Sequence, residues 1–161
     1  MNPIELKPSP NPRVPDAACP FRHSLPLQTR FSDFDMLGHL NNNVYLTFMD
    51  LAKARYFLQL IPDCMKMNGT GVVVVNINCD FFAPTLFDEP IEALTTVTSI
   101  GQKSLTLEQR IINPENGETK CIGRTVMAGF DPKTMHSADI RQEWVEAIEK
   151  FEERTIATPQ A

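Results

Sequence analysis

The sequence predicts an α+β fold in which one long buried helix is wrapped by a curved antiparallel sheet of about five strands. Three observations lead there. Residues 44–60 have helical periodicity and are apolar at most positions. Four strand-like segments follow them with no second helical stretch in between, which argues against parallel crossovers. A chain of 161 residues with 42% hydrophobic content is enough for one core but short of two ordinary domains.

The elements are justified in chain order. Pro3, Pro8, Pro10, Pro12, Pro15, Pro20 and Pro26 crowd the start of the chain, and each removes a backbone donor. Residues 1–22 are therefore expected to form an extended Pro-rich tail, lying over the domain or over a neighbouring subunit. A single domain occupies 23–155. In residues 25–31, Leu27, Thr29 and Phe31 alternate with Gln28 and Arg30, as in a half-buried first strand. In the long helix, Asn43, Thr47, Asp50 and Lys53 form a narrow polar stripe, so the helix is expected to be buried on nearly every side; Pro62 stops it. Asn68-Gly69-Thr70 matches a glycosylation sequon and is read as a turn.

Residues 71–82 form the next strand, with Val75, Ile77, Cys79 and Phe81 on one face and Asn76, Asn78 and Asp80 on the other. Residues 91–100 and 104–112 follow, joined by Gly101-Gln102-Lys103. Pro114-Glu115-Asn116-Gly117 marks a hairpin turn. Residues 119–130 are apolar on both faces and belong in the middle of the sheet. From about 138, Ile140, Trp144, Ile148 and Phe151 recur at helical spacing on a C-terminal amphipathic helix.

The composition narrows the function classes. A formal net charge of −5, with no cluster of Lys or Arg, excludes a phosphate-tracking surface, so no nucleic acid partner is expected. Cys19, Cys64, Cys79 and Cys121 lack the spacing of zinc, redox or disulfide frameworks and fit a reducing cytoplasm. No stretch reads as a signal peptide or a membrane span. Nucleotide-binding glycine motifs, H-E-x-x-H and the G-x-S-x-G elbow are absent from the sequence. With only His23, His39 and His136, no metal site is expected.

Chemistry concentrates in residues 30–45. Asp33, Asp35, His39, Asn41, Asn42 and Asn43 lie just ahead of the buried helix, whose first N–H groups and positive dipole end would hold a developing oxyanion. A carboxylate beside that terminus would stay ionised and serve acyl transfer as base or nucleophile. Asp and Asn are also ordinary turn and cap residues, so the residues alone leave open a site or a cap, and Asp33 or Asp35. His39 has the same two readings.

At these residues the sequence resembles the 4-hydroxybenzoyl-CoA thioesterase-like branch of the hotdog superfamily. A D-x-D-x-x-G-H-x-N-N-x-x-Y signature reads here as Asp33-Phe34-Asp35-Met36-Leu37-Gly38-His39-Leu40-Asn41-Asn42-Asn43-Val44-Tyr45, followed by Asp50 and Ala54-Arg55. The resemblance spans residues from about 24 to 130. It implies a hotdog fold and hydrolysis of acyl-CoA to a carboxylic acid and free CoA, with no cofactor. It makes Asp35 the catalytic carboxylate, as nucleophile or through water, with backbone N–H groups at Asn42 and Asn43 polarising the carbonyl. His39 and Asn41 would shape the loop or orient the acyl group, Tyr45 would contact substrate, and Lys103 and Ser104 would meet the CoA nucleotide. It further implies a homodimer or homotetramer with the site at the subunit interface. An acyl carrier protein as thioester carrier, and a non-catalytic acyl-CoA sensor, are the alternatives.

Overall fold

Each strand-like segment of the sequence forms a strand, and each pairs with its neighbours in antiparallel register. The computed structural model describes residues 2–66 and 70–159. In chain order the elements are β1 (His23–Leu27), a short 3-10 turn (Phe31–Asp33), α1 (Asn42–Leu60), β2 (Gly71–Phe81), β3 (Ile91–Ile100), β4 (Ser104–Ile112), β5 (Thr119–Asp131), β6 (His136–Ser137) and α2 (Gln142–Glu152). The sheet order is β1-β3-β4-β5-β2, with β6 beside β5. The turn read at Asn68-Gly69 lies outside the described residues.

α1 lies against one face of this sheet. Its first half packs Tyr45, Phe48, Met49 and Ala52 on Ile91, Ala93, Ile111 and Cys121. Its second half packs Tyr56 and Phe57 on Val97, Leu105, Leu107 and Met127, a cluster that Trp144 and Ile148 of α2 complete. α2 thus covers the part of the sheet that α1 leaves open. It starts later than the 138 expected from its periodicity, because the preceding residues are extended: the Ala138 amide donates to the Gly129 carbonyl and the Ile140 amide to the Gln102 carbonyl.

Other boundaries also move for physical reasons. β1 covers 23–27 instead of 25–31, since β3 offers it partners only from Thr95 down to Ile91; Phe31 sits in the 3-10 turn, exposed. β2 is an edge strand, and a bulge at Val75 interrupts its pairing with β5. Directly opposed residues share a face. Val72 and Val74 therefore join Ile77, Cys79 and Phe81 on the inner face, and Val75 leaves it. β5 lies between β4 and β2 and is buried along most of its length, as its two apolar faces demand.

The helix stripe is wider than expected. Asn43, Thr47, Asp50, Leu51, Arg55 and Gln59 are exposed, because one sheet and α2 cannot surround a helix. Lys53, expected on that stripe, is buried with its ammonium 2.6 Å from Asp50.

The tail folds over its own domain. Ile4, Leu6 and Ala17 pack with Phe21 on Leu94 and Ile112, residues of the outer sheet face. The Ile4 amide donates to the Phe21 carbonyl, and Arg110, ion-paired to Glu108, donates to the Pro15 carbonyl. Among the described residues no helix is long and apolar enough to cross a membrane.

Candidate active site

The loop between the 3-10 turn and α1 is pinned at its base. Asp33 is buried there, its carboxylate accepting from the Arg30 amide at 2.8 Å and the Arg30 guanidinium at 3.0 Å. Burial pushes that carboxyl up, but the amide hydrogen bond and the guanidinium outweigh it and hold it below the usual carboxylate range. The Asn41 amide donates to the Asp33 carbonyl, and the Leu40 amide to the Thr85 carbonyl. Asp33 is therefore fully committed to shaping the loop.

Asp35 stands at the exposed tip. Its amide donates to the His39 carbonyl and its own carbonyl accepts from Gly38, whose φ of +73° is the left-handed turn that glycine accommodates. Its Oδ1 accepts from the Leu37 amide at 2.8 Å and the His39 amide at 3.2 Å, whereas Oδ2 takes part in none of these bonds. The loop fixes the carboxylate plane through Oδ1, and among the described residues no hydrogen bond reaches Oδ2.

That carboxylate borders a cavity of about 320 Å³ together with His39, Asn42, Tyr45, Phe81 and Pro84. Asn42 begins α1, and the first amides of a helix have no intrahelical acceptor, so an anionic oxygen placed here would meet unpaired N–H groups. Asn41 is the N-cap residue without a side-chain capping bond, and Asn43 is exposed in the first turn beside the cavity. Tyr45 is buried: its hydroxyl donates to Thr85 at 2.8 Å, its ring meets Phe81 edge-on, and burial pushes the phenol up. It forms the floor of the cavity with its polar atom already paired.

The structure thus gathers Asp35, His39, Asn42 and Tyr45, with Asn41 and Asn43 adjacent. Lys103 and Ser104 are elsewhere. They lie at the hairpin closing β3 onto β4, beyond Ile100, whereas the cavity sits at the Ile91 end. The ten residues of β3 separate the two by about 30 Å at a strand's rise of about 3.3 Å per residue. The sequence reading missed Ala83 and Pro84 as cavity walls and Thr85 as the Tyr45 partner; Pro84 registers in sequence only as a strand stop.

The model of the thioesterase superfamily matches residues 37–120, just over half the chain. The chain belongs to the thioesterase superfamily. It is a thioester hydrolase with the hotdog fold. The matched residues of this thioesterase begin just after Asp35 and include His39, Asn41, Asn42, Asn43, Tyr45, Lys103 and Ser104. It is 31% identical over 102 residues to the Bacillus subtilis protein YsmA, covering 63% of this chain and 67% of that protein. It is 27% identical over 93 residues to the acyl-CoA thioester hydrolase YbgC of Escherichia coli, covering 56% of this chain and 69% of that one. Among solved structures, a thioesterase from Thermus thermophilus, complexed with coenzyme A and zinc, superposes with a TM-score of 0.75 at 29% identity. The match covers 83% of this chain and 96% of that one. Among the described residues of the present thioesterase, no three His, Cys, Asp or Glu side chains are grouped as metal ligands.

Proposed function

We propose that this thioesterase hydrolyses an acyl-CoA to a carboxylic acid and free CoA, with Asp35 as the catalytic carboxylate. The observation that carries the reading is the state of that side chain: Oδ1 is held by two amides, and among the described residues Oδ2 is unengaged beside the start of α1. With the thioester carbonyl oxygen at the Asn42 and Asn43 amides, its carbon becomes more electrophilic. Oδ2 then either attacks, forming a mixed anhydride that water opens, or takes a proton from the water that attacks. In both cases the C–S bond breaks, one water is consumed to give the carboxylic acid, and the thiolate leaves and is protonated as CoA. Rapid-quench capture of an acyl-enzyme separates the two routes. The reading calls for no metal or organic cofactor.

CoA is favoured as carrier over an acyl carrier protein by the kinship to YbgC and to a CoA-bound thioesterase. Lys103 and Ser104 lie too far from Asp35 within one chain, so nucleotide contacts from them would come from another copy. The free edge of β2 supports a homodimer: Val73, Val74, Val75, Ile77 and Phe81 are all at least 40% exposed along it. Four unpaired cysteine thiols agree with a cytoplasmic setting.

Release of free thiol over a panel of acyl-CoA chain lengths tests the activity. Asp35→Asn is expected to lower kcat by a factor on the order of 10²–10⁴ with substrate binding retained. Asp33→Asn lowers the melting temperature, because it loosens the loop. Full turnover in Asp35→Asn overturns the assigned role, and binding of acyl-CoA without turnover in the parent shows a sensor instead.

A further inference from the structure

One wall of the Asp35 cavity belongs to the segment 82–89 between β2 and β3, and a single residue of β5 grips that segment at both ends. Phe82, Ala83 and Pro84 border the cavity. The Lys120 carbonyl accepts from the Phe82 amide at 2.9 Å and from the Ala83 amide at 3.4 Å. The Lys120 side chain, only 1% exposed, carries the grip further along the segment. Its ammonium donates to the Pro84 carbonyl at 2.9 Å, to both carboxylate oxygens of Glu89 at 2.9 Å, and to Glu118.

A buried ammonium is costly unless it is paired and hydrogen-bonded, and these oxygens meet that need. The dependence is mutual. Among the described residues no other cation pairs with Glu89 or Glu118, so without Lys120 two carboxylates would face each other across a space with no countercharge. Glu89 also accepts from the Leu86 amide at 2.7 Å, and its own amide donates to the Leu86 carbonyl, so residues 86–89 close into a turn. Burial pushes the Glu89 carboxyl up, but the Leu86 amide and the Lys120 ammonium outweigh it and hold it below its ordinary value.

What this clamp holds bears on Asp35. Thr85, wholly buried within the segment, accepts from the Leu40 amide at its carbonyl, 3.0 Å away, and from the Tyr45 hydroxyl at its own hydroxyl, 2.8 Å away. Leu40 stands between His39, whose amide and carbonyl both bond to Asp35, and Asn41, the N-cap of α1. A shift of the segment would therefore change where the carboxylate lies relative to the first amides of α1. Lys120 is not one of the described residues that border the cavity, so any influence on the chemistry passes through the segment.

We propose that Lys120 is a positioning residue for hydrolysis at Asp35: it fixes the segment 82–89 and, through Thr85, the spacing between the Asp35 carboxylate and the start of α1. The inference rests on the thioesterase reading and adds to it a residue on a strand remote in sequence from the Asp35 loop.

Lys120→Met, similar in length and uncharged, tests it. Glu89→Ala is the second variant and cuts the same clamp from its partly exposed side. Circular dichroism selects folded protein, and kinetics are taken well below the unfolding transition, with the acyl-CoA that the parent hydrolyses fastest. The turnover number is expected to fall about 10–100-fold with KM within about threefold of the parent's, because a misplacement of about 1 Å can cost on the order of 10²-fold. A lower melting temperature with parental kcat is what a purely stabilising ion cluster gives, and it overturns the proposal. A rise in KM alone overturns it too. Amide hydrogen exchange resolved by NMR needs no turnover. The Leu40 amide is expected to exchange at least about tenfold faster in the variants, while the β4 amides keep parental rates. Unchanged Leu40 exchange removes the coupling between Lys120 and the loop. If the parent releases no thiol from any acyl-CoA, the thioesterase reading fails by itself, and Leu40 exchange alone decides whether Lys120 holds the loop.

Discussion

Glu152, only 1% exposed, ties α2 to the sheet and to α1 by hydrogen bonds, beside the packing of Trp144 and Ile148. β1 ends its pairing with β3 at the His23–Thr95 pair, which leaves the next β3 amide without a strand partner. The Glu152 carboxylate supplies one: it accepts from the Val97 amide at 3.3 Å, from the Tyr56 hydroxyl at 2.7 Å and from the Thr96 hydroxyl at 3.1 Å. Glu152→Ala strands these donors in a dry environment. Each costs roughly 1–3 kcal/mol, and the Arg154 guanidinium, itself a donor to the Thr96 hydroxyl, replaces no acceptor, so the loss is at least about 3–5 kcal/mol. For a chain of this size about 2–4 °C accompanies each kcal/mol, and the melting temperature should fall by about 6–20 °C. Glu152→Gln keeps an oxygen for Tyr56 and Val97 and presents an amide to a hydroxyl able to accept, so it should cost about 1 kcal/mol or less. Thermal unfolding followed by circular dichroism, with the parent and both variants in one buffer, makes the comparison. A Glu152→Ala melting point equal to the parent's would refute the assignment of Glu152 as the anchor of α2.

The other expectations concern pH, the tail and the loop. His23 is buried against Tyr56 and burial lowers it from its ordinary value of 6.5. The unfolded chain then binds the proton more readily, so stability is full above that value and declines as pH falls below it; His23→Gln should flatten a melting-temperature profile taken between about pH 7 and pH 5. Asp33, also lowered, adds a second loss only at more acidic pH, below 3.8. Removing residues 2–18 uncovers Leu94 and Ile112, and light scattering should show association beyond the parental state, with Phe21→Ser giving the same trend. Gly38→Ala meets no neighbouring atom but adopts φ +73°, so about 1 kcal/mol of strain enters the Asp35 loop. Turnover should fall severalfold while the melting temperature stays within a few degrees of the parent's.

Much of the fold was legible because period 2 and period 3.6 are properties of the chain alone. The features that were not legible are those a partner decides. Val75 continues a clean alternation in sequence, and only the register against Met127 and Val126 makes it a bulge. Lys53 has the composition of a surface stripe, yet its aliphatic stem is buried and its ammonium is held at Asp50. β1 reads on to Phe31, but β3 has no residue left to pair with it. In the candidate site, the density of Asp and Asn marked the loop. Spacing alone could not rank the two aspartates, since both lie in the same short run. They differ in burial, which the sequence does not show: Asp33 is enclosed with both oxygens bonded, and Asp35 is exposed, with no hydrogen bond to Oδ2 among the described residues.

The two ends of α1 differ in what they offer a ligand. The N-terminal end has the unpaired amides and the exposed carboxylate but only a small cavity, about 320 Å³, with little room for a long acyl group. The C-terminal end has about 870 Å³ of largely apolar space and, among the described residues, no uncommitted carboxylate positioned for acyl transfer. Polar chemistry needs the helix terminus, and hydrocarbon needs a wall that no strand of the sheet supplies by itself, which α2 adds.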